Sequence, residues 1–210
     1  LIQEIEKFVR SLSDEEPSAH DWWHTQRVRR LSLEIAKTEV CDIRKVEIIA
    51  LLHDVWDWKV PNNQAKKRMA LELLQKLGLK KEEIDEIVCA VEAVSFKGAL
   101  VEDVPTTKEG EIVRDADRLD AMGAIGIARA FSYGGKAGRP IHTPEIPPKL
   151  HSSFEEYAHS SSSTVNHFYE KLLHLKQRMK TKRAKELAEA RHEFMLKFLE
   201  RFFLEWEGVA

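Results

Sequence analysis

Val46-Glu47-Ile48-Ile49-Ala50-Leu51-Leu52-His53-Asp54 is the stretch on which the reading of this chain turns. All but Glu47 of its first seven residues are apolar. A helix over about 43–56 therefore has little solvent-facing side, and such a helix is normally central to its domain. It then runs straight into a histidine and an aspartate. Burying an ionised carboxylate costs several kcal/mol, on the order of 3–5, unless a partner or a metal compensates. His53-Asp54 is therefore where chemistry is expected.

Outward from this helix the chain has few breakers. It holds 9 Gly and 7 Pro in 210 residues, and 12 of those 16 fall between residues 98 and 148. Elsewhere only Pro17, Pro61, Gly78 and Gly208 interrupt, which favours long helices over a many-turned β-sandwich. Apolar spacing predicts helices at 2–12, 21–38 with Asp21 as N-cap, 65–77 stopped by Gly78, 82–94, 109–131, 164–178 and 181–206. His24, four residues before Val28, shares the buried face of its helix. Asp117 projects from a small-residue face with Val113, Ala121, Ala124 and Ala128. Gly123 and Gly126 in that helix read as sites of close helix packing. The expectation is an all-α protein, one domain over 1–210. Its metal-site core covers about 20–130 and its C-terminal helices about 164–206. A long irregular segment around 132–150 is placed as a lid.

Composition narrows the partners. With 33 Lys+Arg against 35 Asp+Glu the formal charge is -2, unlike a general binder of polymeric nucleic acid or anionic membranes. Cys41 and Cys89 form no CxxC, so reduced thiols are expected rather than a disulfide framework. No secretory signal is visible and no apolar run approaches the roughly 18 residues of a membrane span. A cytoplasmic protein, monomer or homodimer, is the expectation.

The chemistry rests on a constellation. His24, His53, Asp54 and Asp117 come from three predicted helices, all from core-facing positions. One divalent cation would satisfy two neutral imidazoles and two carboxylates together. A second His-Asp pair, His20-Asp21, stands at a helix entrance, where Asp is wanted as a cap. His20 and His24 are spaced like a zinc pair but lack the intervening Glu of HExxH.

The ordered set His24 … His53-Asp54 … Asp117 resembles the signature of the HD-domain superfamily of metal-dependent phosphohydrolases. His20-Asp21-Trp22-Trp23-His24, Asp57-Trp58-Lys59, Asp115-Ala116-Asp117-Arg118-Leu119-Asp120-Ala121, Gly126-Ile127-Ala128-Arg129, Tyr133-Gly134-Gly135 and Arg191-His192-Glu193-Phe194-Met195 are similar to one subgroup. That subgroup is the small, single-domain HD hydrolases, some of which are nucleotide pyrophosphohydrolases. The resemblance spans about 17–208 and implies a single-domain HD-type helical bundle. It implies metal ligation by His24, His53, Asp54 and Asp117. The Ala116-Asp117-Arg118-Leu119 context, with the helical face, selects Asp117 over Asp115 and Asp120.

Such a ligand set leaves about two positions of an octahedral ion for a water and a phosphate oxygen, and the metal activates both. Two nitrogens and two oxygens suit one transition metal, Mn(II) first, then Fe, Co, Ni or Zn, better than Mg. Asp54 then serves as ligand and catalytic residue together. Lys59 and Arg118 are the expected phosphate cations, with Arg129, Lys136 and Arg139 behind them; the competing reading of each is a solvated surface charge. Asp57 has two readings, a general acid-base or an exposed helix-end residue. Gly134-Gly135 reads as a backbone phosphate cradle or a turn. Trp23, Trp56, Trp58 and Tyr133 read first as core, then as base-stacking groups. The later histidines read as surface or satisfied polar groups, with His142 lying in the segment read as a lid. The expected substrate is a small phosphate compound, a (deoxy)nucleoside triphosphate cleaved to monophosphate and pyrophosphate. The alternatives are a monophosphate phosphatase, a nucleotide-sensing module without turnover, and a helical scaffold whose His and Asp pair with each other.

Overall fold

The apolar stretch forms α3, Ile43–Leu52, with Val46, Ile48, Ile49, Ala50, Leu51 and Leu52 all buried. The Asp42 carboxylate starts it by accepting the backbone N–H groups of Arg44 and Lys45, two of the donors a helix N-terminus leaves unpaired. The computed structural model describes residues 1–13, 21–153, 155–156 and 162–209. His20, His159 and Ser160-Ser161 lie outside the described residues, so the zinc pairing weighed for His20 does too. Among the described residues no strand occurs, as the all-α reading expects.

The chain forms two compact units, one of Leu1–Phe96 with Asp103–Asp117, the other of Lys97–Glu102 with Arg118–Ala210. In the first unit α1 (Ile2–Ser13), α2 (Trp22–Ala36), α4 (Asn63–Lys76) and α5 (Lys81–Glu92) surround α3 or its neighbours. α2 packs most extensively on α3, and it buries Val28 and Ile35. Arg29 fastens three helices at once, its guanidinium 2.5 Å from Glu47 on α3 and 3.1 Å from Glu6 on α1. α4 ends as predicted: Gly78 takes a φ of +83°, and Leu79 N–H closes on the Leu74 carbonyl at 3.2 Å.

α6 (Lys108–Asp120) begins beside α3, where the Glu109 carboxylate accepts the Asp42 N–H at 3.0 Å. Burial pushes the Glu109 carboxyl up, but the Asp42 and Glu109 backbone N–H groups and the Thr107 hydroxyl outweigh it and hold it below the ordinary glutamate range.

The predicted helix 109–131 is two helices. α6 stops at Asp120, and α7 runs Gly123–Lys136. The break is made by Gly123 at φ +67° and by Gly126, whose Cβ would collide with the Ala121 backbone. Small residues on both sides keep the helical spacing and conceal the turn. Gly134-Gly135 lies within the last turns of α7 and is not a loop. A Cβ at Gly134 would collide with Thr164 on α8 (Thr164–Glu170), so the glycine permits helix contact. The predicted 164–178 helix likewise ends at Glu170 and continues as 3-10 turns.

The irregular segment starts at Ala137, later than expected, and is tied down. Pro140 and Ile141 carbonyls accept from Thr164 and Val165 N–H at 2.9 and 3.0 Å. The Ile146 carbonyl accepts from Asn166 at 2.8 Å, and Lys149 N–H donates to Glu170 at 3.1 Å. His142 stands edge-on to Phe203 and Trp206 of α9 (Lys182–Trp206), ring centroids 5.3 and 5.0 Å away. These bonds hold the segment on α8 and α9 of its own unit. No helix among the described residues is long and apolar enough to cross a membrane.

Candidate metal centre

Local chemistry places each ligand. The Asp21 carboxylate caps α2 by accepting His24 N–H at 2.7 Å, which fixes His24 on the first turn. α3 stops at Leu52, four residues before the predicted end, and His53 is its C-cap. His53 and Asp54 thus leave the helix as it unwinds into turns. Asp117 rides on the last turn of α6.

These residues converge. His24 Nε2 lies 3.1 Å from His53 Nε2, 3.2 Å from Asp54 Oδ2 and 3.4 Å from Asp117 Oδ1. His53 Nε2 is 3.6 Å from Asp54 Oδ2 and 4.0 Å from Asp117 Oδ1. His24, His53 and Asp117 each offer one atom within 4.8 Å of the others. The imidazoles are sealed, with side chains 0% and 1% exposed, while Asp54 and Asp117 keep 16% and 27%. The carboxylates are therefore half-open to solvent rather than fully buried, which is what access by a substrate requires.

The hydrogen bonding fixes a tautomer. His53 Nδ1 is 2.8 Å from the Ala50 carbonyl, which can only accept, so Nδ1 carries the proton. In the neutral ring the Nε2 lone pair then faces the cluster, as metal-binding histidines require. An ion about 2.1 Å from each donor puts neighbouring donors about 3–3.5 Å apart and opposite ones about 4.2 Å apart. The observed 3.1–4.0 Å separations fall in that range. Two carboxylates also stand at the C-terminal ends of α3 and α6, where helix dipoles already concentrate negative charge. The donor set fits one divalent cation.

The other candidates separate. The Asp57 side chain is buried, and Lys59 Nζ lies 3.8 Å from its Oδ1. Arg118 is buried and donates to the Arg178 carbonyl at 2.9 Å, while Arg129 pairs with Asp120 at 2.9 Å. Arg139 lies over the Tyr133 ring. Of Trp23, Trp56, Trp58 and Tyr133, Trp56 alone is buried; the others are 61%, 41% and 40% exposed, against the packing expectation. Burial of Arg114, Asp115 and Asp120 was missed, because a charged pattern on α6 reads as a solvated face. Nothing in the sequence pointed to the Ala50 carbonyl as the partner of His53.

The HD domain family model matches residues 22–122, which contain all four candidate ligands. The uncharacterized protein YpgQ of Bacillus subtilis is 37% identical over 210 residues, covering 99% of this chain and 94% of that one. Its crystal structure in complex with ADP superposes with a TM-score of 0.78 over 100% of both chains at 34% identity. A Lactobacillus plantarum structure gives a TM-score of 0.91 at 34% identity, covering 99% and 97%. An HD-superfamily hydrolase from Bacillus thuringiensis gives 0.75 at 36% identity, covering 98% and 96%. With the histidine–aspartate cluster and near full-length likeness in agreement, the chain belongs to the HD superfamily and shares the fold of its hydrolases.

Proposed function

We propose that the protein is a metal-dependent phosphohydrolase acting on nucleotides, with (deoxy)nucleoside triphosphates cleaved to monophosphate and pyrophosphate. The observation that carries this reading is the converging donor set of His24, His53, Asp54 and Asp117, sealed on the imidazole side and open on the carboxylate side. The complex of YpgQ with ADP supports a nucleotide, since ADP offers the α–β phosphate linkage. A divalent cation at the donor set, Mn(II) first, supplies Lewis acidity toward water and phosphate.

The chain's own residues do the rest. The Ala50 carbonyl keeps His53 in the metal-binding tautomer. Asp21, by capping α2, holds His24 in register. Lys59, five residues beyond Asp54, and Arg118, next in the chain to Asp117, neutralise phosphate charge. Arg118 donates one N–H to the Arg178 carbonyl at 2.9 Å.

A panel of nucleoside mono-, di- and triphosphates with Mn(II), read for orthophosphate and pyrophosphate separately, tests the reading. Pyrophosphate release from triphosphates is expected, together with loss of turnover in an Asp54→Ala variant. Orthophosphate from monophosphates alone would favour a phosphatase. Release of neither product from any nucleotide would leave a sensing module.

A further inference from the structure

Three side chains just past the His53-Asp54 pair form a unit of their own. Asp57 N–H donates to the Asp54 carbonyl at 3.3 Å and Val60 N–H to the Asp57 carbonyl at 2.9 Å, so 54–60 coils into two successive turns. Within the second turn Asp57 Oδ1 accepts the backbone N–H of Lys59 at 3.1 Å. The same oxygen lies 3.8 Å from Lys59 Nζ. That ammonium is 5.3 Å from the centroid of the Trp58 ring. The Asp57 side chain is 6% exposed, whereas Trp58 stands 41% open.

Each distance assigns a task. The bond from Asp57 to the N–H two residues on is an Asx turn, which fixes the backbone that carries Lys59. A separation of 3.8 Å is longer than the ~2.7–2.9 Å of a charge-assisted hydrogen bond, so the carboxylate attracts the ammonium without locking it. The Trp58 π-face attracts the same charge. A polyphosphate carries more negative charge than one carboxylate and would draw the ammonium away while the Asx turn stays closed.

We propose that Asp57 is a positioning residue that holds Lys59 against the Trp58 ring, ready for a substrate phosphate, and that it exchanges no proton in the reaction. The proposal rests on the phosphohydrolase reading above. It replaces the acid-base reading of Asp57 with one in which the carboxylate acts through Lys59.

Calorimetric titration of the Mn(II)-loaded protein with ADP measures binding apart from turnover. Lys59→Gln and Asp57→Ala should each weaken ADP about tenfold, and the double variant should fall within about threefold of Lys59→Gln, because the residues act as one unit. Asp57→Asn keeps an acceptor for the Lys59 N–H. With the nucleotide turned over fastest it should hold kcat within about threefold and retain both limbs of the pH–rate profile. Should Asp57→Ala fail to fold, Asp57→Asn and Lys59→Gln carry the test.

The proposal is overturned if Asp57→Asn lowers kcat by about a hundredfold and removes one limb of that profile with ADP affinity unchanged. Independent, multiplying effects of Asp57 and Lys59 would overturn it as well, as would a parent protein that does not bind ADP. If the parent binds ADP but hydrolyses no nucleotide, the phosphohydrolase reading fails, while the titration still decides the coupling of Asp57 to Lys59.

Discussion

α3 and α6 each deliver a candidate ligand, and they do so from opposite kinds of sequence. α3 buries six apolar residues and only then, as it ends, presents His53 and Asp54. α6 buries Arg114, Asp115, Arg118 and Asp120, while the Asp117 side chain keeps 27% of its surface. In the apolar helix, a sealed polar group marks chemistry. In the charged helix, sealed polar groups mark architecture: Arg114 holds the Val104 carbonyl at 2.7 Å, and Asp120 accepts from Arg129 at 2.9 Å. Burial alone therefore marks the candidate ligand on one helix and misdirects on the other.

The comparison can be broken at its functional end. Asp117→Ala should reduce hydrolysis by about a thousandfold or more, as loss of a metal ligand does. It should also abolish the rise in melting temperature caused by Mn(II) while leaving the metal-free melting temperature within a few degrees. A variant that keeps both activity and the Mn(II) effect would remove Asp117 from the site. At the architectural end, Arg114→Ala removes a buried side chain together with its bond to the Val104 carbonyl, and should cost about 3 kcal/mol in urea unfolding. Its folded fraction should still respond to Mn(II); a neutral effect on stability would dissolve the contrast between the helices.

The smallest effect sharpens how α6 is joined to α3. Glu109 has a folded carboxyl held below the ordinary range, so its stabilisation is complete above that range and disappears as pH falls through the lower folded value. Glu109→Gln should cost about 1 kcal/mol near neutral pH. Its midpoint should then approach that of the parent as pH falls through the glutamate range, measured by urea unfolding from pH 7 to pH 3. A constant gap across that window would assign the loss to packing.

Legibility followed the same division. The helices of the first unit were readable because their signals are local: Asp21 as a cap, Gly78 as a stop, and an apolar run that permits one interpretation. The four candidate ligands were readable because polar groups on apolar faces carry an energetic cost. The α6–α7 break was not, since Gly123 and Gly126 sit among alanines that hold a helical period through the turn. The irregular segment was located, but its anchoring was not legible, because the bonds come from Thr164, Val165, Asn166 and Glu170, farther along the chain. Long-range partners of this kind leave no periodic trace.

The contact between His53 Nδ1 and the Ala50 carbonyl limits how the protein can be strengthened. In an uninterrupted helix that carbonyl would take the amide of Asp54, four residues on. Here the helix ends first, and the carbonyl goes to the imidazole at 2.8 Å. Substitutions at 55–57 that extend α3 by a turn would raise helix stability while bringing the Asp54 amide to compete for the carbonyl that orients the ring. Thermal robustness and reactivity draw on the same oxygen atom, so engineering for heat tolerance should begin anywhere except the end of α3.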